Sequence, residues 1–557
     1  MPVDKRAKSM IVAAQPEASE AGAQVLARGG NAIDAAMTAA LVQGVVDPQM
    51  CGIAGFGSCQ IYMPKRGIHT CIDFHGKTPL AAKPDMWADL VEGETRDGFG
   101  FVLKGNANDL GYQAVTAPGS LKAYHEAVSE FGTFDWSDIC APAIADAKVG
   151  FVVRPHVYYW WTSGSDFGRV NVTDRLRFSK TGAKAYFRED GSVKRVGDRV
   201  VNPDLATTLE RIAEYGPDIF YSGEIAEQIA ADFASHGGLL TLADLKGYAT
   251  RRIDPIAFDY RGYSLTTNHP PGGGIMVTQM LNTLEHFDLV ELGHNSAEYI
   301  RVVSEAMKAA TADKDAHVGD PAFHSVPLER LTSKAYAAQL AQQINRGDRF
   351  HVDRIGMPEP KHTTHVAVID GEGNAVTMTH SLGMPSGVIT DGLGFMYNGC
   401  MAVFDPRPGR AGSIAPGKSR FSSLCPTLAF KDGQLRLAIG APGGTQIAMG
   451  VTQAIINVID HDMSMTEAVS APRFSSTSNL IDVTNRIPRY IQAELEADGY
   501  QVFRKPNTFD IAAVHGIRVT EEGWLDGGAD PGRSRKPEAP RALPSAPAAP
   551  GADPAVA

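Results

Sequence analysis

The chain has 557 residues, 43% of them hydrophobic and 21% charged, so it can bury a large core and is not a disordered scaffold. Its 52 Lys and Arg against 63 Asp and Glu leave a formal net charge of −11. That balance argues against nucleic acid or an anionic membrane surface as a partner.

Residues 35–46 form an apolar stretch near the N-terminus that contains Thr38 and Gln43, well short of the ~20 apolar residues of a spanning helix. Residues 11–14 are too short for a signal-peptide core. No membrane association is expected, and the location expected is cytoplasmic. Six cysteines show no C-x2-C pair and sixteen histidines no H-E-x-x-H, so reduced, mostly buried thiols and no metal are expected.

In chain order, residues 18–46 read as two packed helices broken at Gly29, Gly30 and Asn31, with Asn31 capping the second and Pro48 closing it. Residues 52–63 and 67–73 are Gly-bounded and β-rich, the pattern of a hairpin. Helical periodicity marks 124–131, 204–215, 225–236 and 297–313. Residues 258–267 read as one strand ending in a turn of Pro270, Pro271, Gly272, Gly273 and Gly274. The polar stretch 346–362 reads as an exposed connector. Directly after it, 365–369 and 375–379 flank Gly371-Glu372-Gly373-Asn374, a hairpin whose strands are apolar on both faces and belong inside a covered sheet. Residues 435–439 form another buried strand, followed by Pro442, Gly443 and Gly444 and a helical run over 447–459. Beyond Arg533, Pro and Ala dominate, and 535–557 reads as a disordered tail.

Residues 412–419 match the letters of a P-loop, but Pro406 and Pro408 precede the match and Pro426 follows it. The buried strand and helix that would cradle a phosphate are missing. Gly272 to Gly274 fail the dinucleotide fingerprint in the same way. Thr363 and Thr364, at the end of the connector and the start of a strand, are by spacing ordinary β-residues. A cut before Thr363 would change their meaning. The new terminal amine, with a pKa near 8, could act as general base for the hydroxyl of the same residue. Such chemistry needs donors for an oxyanion, and Gly443 and Gly444 stand at a strand-to-helix turn where backbone N–H groups supply them. Ser422 and Ser423 offer hydroxyls for a substrate carboxylate.

Taken in order, these pieces resemble the γ-glutamyltransferase (glutathione hydrolase) family of N-terminal-nucleophile hydrolases. The carriers are Gly29-Gly30-Asn31-Ala32-Ile33-Asp34, Gly52-Ile53-Ala54-Gly55-Phe56-Gly57, Gly319-Asp320-Pro321, Thr363-Thr364-His365, Gly373-Asn374-Ala375-Val376, Ser422-Ser423, Pro442-Gly443-Gly444, Ala471-Pro472-Arg473 and Gly528-Ala529-Asp530-Pro531. The resemblance implies an α+β fold, a four-layer αββα sandwich made as one precursor. It implies that Thr363 attacks the carbonyl of His362, leaving a large subunit, 1–362, and a small catalytic subunit, 363–557. The two would stay associated as one structural domain, and any further association of that heterodimer is left open. Thr363 is then nucleophile and base, Gly443 and Gly444 the oxyanion hole, and Ser381, where the family has Thr, orients the nucleophile. No cofactor and no metal are implied.

The substrate-binding positions depart from the family. Where it has an Arg for the α-carboxylate, this chain has His75, in Asp73-Phe74-His75-Gly76-Lys77. An Asp that holds the α-amino group aligns with Val403 and an Asn with Gly383; Ser422 and Ser423 are retained. Lys77 or Arg420 could replace the missing Arg, and Asp405 could swing toward the amine. The expected activity is cleavage of a γ-glutamyl or related N-acyl amide of a small molecule through a threonine acyl-enzyme, with hydrolysis favoured over transfer. The alternatives are an orthodox glutathione hydrolase with relocated headgroup contacts and a homologue that only binds ligand.

Overall fold

The computed structural model describes residues 8–95, 100–164, 168–352, 362–509, 511–532 and 536–538. Two antiparallel sheets organise them. In chain order their strands are β1 (Met10–Ala13), β2 (Phe56–Met63), β3 (Ile68–Phe74), β4 (Arg251–Ile253), β5 (Ile256–Tyr260), β6 (Tyr263–Thr267), β7 (His362–Ile369), β8 (Ala375–Gly383), β9 (Thr427–Lys431), β10 (Gln434–Gly440), β11 (His515–Val519), β12 (Leu525–Ala529) and β13 (Lys536–Glu538). The first sheet runs β13-β1-β7-β8-β2-β3-β4 and the second β12-β11-β10-β9-β6-β5.

Side-chain alternation along the strands builds the layers. Val12, Ala367 and Ile369 of the first sheet meet Leu428, Phe430, Ala438 and Ile517 of the second in a core between the sheets. The intervening residues Val366 and Val368, with Ile61 and Ile72, face outward onto α1 (Pro16–Ala27) and α2 (Ala32–Val46). The second sheet's other face packs on α3 (Gly274–Leu284), α4 (Ala297–His317) and α5 (Ile447–Ile459). The order helix, sheet, sheet, helix is the expected four-layer sandwich. Asn31 caps α2 in a reciprocal box with Asp34, as its position before the apolar run predicts. The hairpin β7–β8 is buried on both faces, as its unalternating apolar strands require.

Several readings change. Residues 258–267 are a hairpin, not one strand: Arg261 and Gly262 both take positive φ (51° and 77°), the two-residue turn that matches strand twist. Gly274 opens α3, every residue of which is buried, so a helix starts within the stretch read as a turn. Lys536–Glu538 pair with β1, so the tail begins with an edge strand; 539–557 and the connector's 353–361 lie outside the described residues. The P-loop letters sit in a loop where Lys418 Nζ donates to the carbonyls of Ala411 and Ser413 at 2.8 and 2.9 Å. All six cysteines are buried thiols. Among the described residues no helix is long and apolar enough to cross a membrane.

Candidate active site

Thr363 lies where β7 and β8 slip against each other. His362 pairs with Gly383 and Thr364 with His380, so Ser381 and Leu382 together oppose the single Thr363. Such a β-bulge re-aims side chains. Thr364 turns outward, where Gln43 of α2 donates to its Oγ1 at 3.0 Å. Thr363 turns inward, 4% exposed, with its Oγ1 2.9 Å from Ser381 Oγ. The Gly383 N–H donates to that same Ser381 oxygen at 2.8 Å. Ser381 Oγ thus contacts both the Thr363 hydroxyl and the Gly383 N–H across the bulge.

The register extends this grouping into a row. Ser381 pairs with Phe56 on β2, and Gly57 pairs with Phe74 on β3, which brings His75 beside Phe56. Thr363, Ser381, Phe56 and His75 thus cross four adjacent strands on the face toward the second sheet, about three strand spacings or ~14 Å of backbone. The Phe56 and His75 rings lie 5.8 Å apart. The Arg420 guanidinium stacks on the other side of Phe56, 4.6 Å from its centroid, within the range of a cation–π contact. Burial pushes the Arg420 pKa down, with Cys400 opposing and Arg169 adding to the shift. A Cβ at position 383 would lie 3.3 Å from both Arg420 Nη2 and Cys400 Sγ, and Gly383 has φ +74°. A side chain at 383 would crowd this arginine and Cys400.

His75 is fixed at both nitrogens. Its Nδ1 lies 2.6 Å from Asp73 Oδ1 and its Nε2 2.5 Å from Ser422 Oγ. Arg251 donates to Asp73 Oδ2 at 2.8 Å. Burial alone would raise the Asp73 carboxyl, but His75, through charge and hydrogen bonds, and Arg251 hold it at about 2. The carboxylate is therefore an acceptor only, and Nδ1 carries the proton between them. Ser422 is anchored by its N–H to the Pro271 carbonyl at 2.8 Å. Sequence reasoning missed Asp73, Arg251 and Phe56; the D-x-H spacing at a strand end was the available signal for the first.

The oxyanion candidates follow β10. Gly440 at its end abuts His365, whose ring would lie 2.3 Å from a Cβ there. His365 shares the inward face of β7 with Thr363, two residues along the strand. Gly443 and Gly444 have φ +149° and +58°, and a one-turn 3-10 helix leads from Gly444 into α5. This backbone turns N–H groups out at a helix start. His365 and His380 are both fully buried, and burial drives each from its ordinary 6.5 to about 3. They are neutral structural groups, His380 bridging Tyr124 and Gln43.

Ser422, Ser423 and Val403 line one cavity of about 510 Å³ together with Thr445, next to Gly444. Thr363 is not on its wall in this uncut chain. Two proposed substitutes for the missing cation and anion are otherwise engaged. Lys77 donates to the Ala249 carbonyl at 3.1 Å and sits over Tyr248. Both Asp405 oxygens accept from Arg407, at 2.8 and 2.9 Å, and Asp405 lines the same cavity as Ser422 and Ser423. Arg420 is the cation that the fold places in the row.

The arrangement comprises the Thr363 hydroxyl paired with Ser381, a glycine turn that opens a helix after β10, and a cavity lined by Ser422 and Ser423. Comparison with known proteins gives it a lineage. Residues 18–539 match the gamma-glutamyltranspeptidase family. An acylase ACY 1 proenzyme of Pseudomonas sp. (strain V22) is 37% identical over 528 residues, covering 94% of this chain and 92% of its own. The glutathione hydrolase proenzyme of Escherichia coli (strain K12) is 33% identical over 553 residues, covering 94% and 91%. Among solved structures, the cephalosporin acylase from Bacillus halodurans superposes with a TM-score of 0.84 at 28% identity, covering 96% of each chain. The chain belongs to the gamma-glutamyltranspeptidase family and is an enzyme of the N-terminal-nucleophile hydrolase class.

Proposed function

We propose that this enzyme is a self-processing amidohydrolase whose nucleophile is Thr363 and whose acyl donor is an N-acyl amide without the α-amino group of glutamate. In processing, Thr363 Oγ1 attacks the His362 carbonyl carbon, and the Thr363 nitrogen takes the proton and leaves, giving an ester. Water then cleaves the ester to a His362 carboxylate and an N-terminal Thr363. In turnover the new amine accepts the hydroxyl proton as Oγ1 attacks the substrate carbonyl, and the Gly443 and Gly444 amides hold the oxyanion. The leaving amine departs with that proton. Water resolves the acyl-enzyme, and we assign hydrolysis rather than transfer as the dominant outcome.

The observation that carries the reading is Thr363 Oγ1 at 2.9 Å from Ser381 Oγ on the bulge. Val403 at the aligned position of the amine-binding Asp, and Asp405 held by Arg407, support an acyl group lacking an amine. An Arg–carboxylate fork and a charge-assisted Asp contact are each worth roughly 1.5–3 kcal/mol. A glutamyl headgroup without both would bind several orders of magnitude more weakly. Turnover of glutaryl p-nitroanilide against γ-glutamyl p-nitroanilide tests the donor: clear preference for the γ-glutamyl compound discards it in favour of orthodox glutathione hydrolysis. Thr363→Ala tests the nucleophile. Wild type should yield fragments of about two thirds and one third of the 59.5 kDa chain, and the variant one intact band. A smaller fragment whose N-terminal sequence starts anywhere but at Thr363 refutes the assignment.

A further inference from the structure

On the face of the first sheet that turns away from the second, a chain of polar side chains runs through the apolar layer between β7, β8 and α2. Gln15, Gln43, Asp47, Gln49, Thr364 and His380 are each 0% exposed. Their hydrogen bonds have one direction, and Trp161 sets it. An indole N–H can only donate, and Trp161 Nε1 donates to Gln49 Oε1 at 2.9 Å, so the Gln49 amide nitrogen is turned to Asp47 Oδ1, at 2.7 Å. The other Asp47 oxygen accepts from Gln15 Nε2 at 2.7 Å. Gln15 Oε1 therefore faces Gln43, whose Nε2 donates to it at 2.7 Å and to Thr364 Oγ1 at 3.0 Å. Gln43 Oε1 is left for His380 Nε2, at 2.8 Å. Burial keeps that imidazole neutral, so Nε2 carries its proton and Nδ1 accepts from the Tyr124 hydroxyl.

One amide thus holds two strands. Thr364 of β7 and His380 of β8 are cross-strand partners, the first regular pair after the bulge. Their neighbours Thr363 and Ser381 project to the opposite face. Gln43, one of the polar interruptions in the apolar run 35–46, reaches both partners from α2.

We propose that Gln43 is a positioning residue for the nucleophile: by holding Thr364 and His380 together from the large subunit, it keeps the bulge in place and so keeps Thr363 Oγ1 aimed at Ser381. The assignment rests on the reading of Thr363 as nucleophile. A bulge is a two-against-one step that can migrate along its strands, and each migration by one residue exchanges inward for outward side chains. Fixing the pair on its inner side stops that migration. Self-cleavage makes the restraint more important. Before the cut, position 363 is also held by its peptide bond to His362; after it, the strand's first residue is free on that side, and the Gln43 contact to Thr364 lies one residue away.

The test compares Gln43→Met, Thr364→Val and Thr364→Ser with the wild type in two rates: fragment appearance from the full-length precursor, and turnover by the processed enzyme of whichever p-nitroanilide, glutaryl or γ-glutamyl, the wild type hydrolyses. A displaced nucleophile should lower kcat about 10- to 100-fold in Gln43→Met and Thr364→Val. KM should stay within about twofold, because these side chains lie across the sheet from the substrate. Thr364→Ser keeps the hydroxyl and should restore both rates. The double variant Gln43→Met/Thr364→Val should be no slower than Gln43→Met alone, as expected of two ends of one contact. A contact that serves stability alone would lower the urea midpoint and leave kcat unchanged, and that result in either folded variant overturns the proposal. So does a Thr364→Ser enzyme as slow as Thr364→Val. Should Gln43→Met fail to fold, Thr364→Val, which loses one hydroxyl at nearly constant volume, decides alone. The nucleophile assignment is judged separately, by the N-terminal sequence of the wild-type fragment, so the two can fail independently.

Discussion

Replacing Ser381 with alanine removes one oxygen that serves two groups. The Gly383 N–H, 2.8 Å away, is left buried beside Leu382 and Phe56 with its acceptor gone, and Thr363 Oγ1 loses the contact at 2.9 Å. An orphaned buried N–H costs about 1–3 kcal/mol and a lost hydroxyl pair about 1. If roughly 2–3 kcal/mol of this is felt in the transition state, the rate falls about 30- to 150-fold. The assay is a time course of fragment appearance from freshly translated precursor on denaturing gels, followed by anilide turnover of whatever has been processed. Ser381→Ala should slow both steps by that factor, and Ser381→Thr, which keeps the oxygen, should restore them. The variant should still melt cooperatively, because the bulge retains its strand pairing on both sides. Processing within twofold of wild type would refute the claim that Ser381 directs the Thr363 hydroxyl.

Gly443→Ala places a methyl group 2.7 Å from the Ala512 Cα on a backbone at φ +149°, so turnover should collapse and the melting temperature fall. Gly433→Ala, at φ +72° with open space around it, is the control and should cost only about 1–2 kcal/mol. Asp530 neutralises Arg473 in a buried ion pair, and Arg473 also donates to the carbonyls of Ile511 and Ala512, the segment against which Gly443 rests. Asp530→Ala leaves that cation unpaired and should destabilise the chain by about 3–5 kcal/mol in urea titrations. His365 and His380 have folded pKa values near 3 against an ordinary 6.5, so the unfolded chain binds their protons first. Their contribution is complete above pH 6.5 and is lost as pH falls toward 3, at up to about 1.4 kcal/mol per unit for each. The urea midpoint should drop steeply over that window, and His380→Gln should remove about half of the slope.

What the sequence disclosed and what it concealed divide along physical lines. The hairpin β7–β8 was legible because two apolar strands around Gly371-Glu372-Gly373-Asn374 leave few alternatives, and α2 because Asn31 and Asp34 cap it reciprocally. Helix α3 was not, since Gly272, Gly273 and Gly274 at its start carry the signature of a turn, and the β5–β6 turn was not, because Arg261 supplies a positive φ that the residue type does not advertise. The choice of Thr363 as candidate nucleophile followed from ordered resemblance, but the bulge that carries it did not: a bulge depends on a slip between strands that neither strand's own sequence states.

The headgroup positions show the same limit more sharply. Read one at a time, His75, Gly383 and Val403 are three losses. In space, two of them are exchanges. Gly383 lacks the Cβ that would crowd Arg420 and Cys400 at 3.3 Å, so the absent side chain leaves room beside a guanidinium that lies over Phe56. His75 stands at the aligned place of a fixed cation and is held between Asp73, which Arg251 also contacts, and Ser422. Only Val403 has no partner change of the opposite sign, because the nearby Asp405 is held at both oxygens by Arg407. The cavity that Ser422, Ser423 and Val403 line also carries the carboxylates of Glu94, Asp315 and Asp405, so the proposed donor without an α-amino group rests on Asp405 being engaged by Arg407 and on Val403 standing at the aligned position, and the paired glutaryl and γ-glutamyl anilides decide between the two.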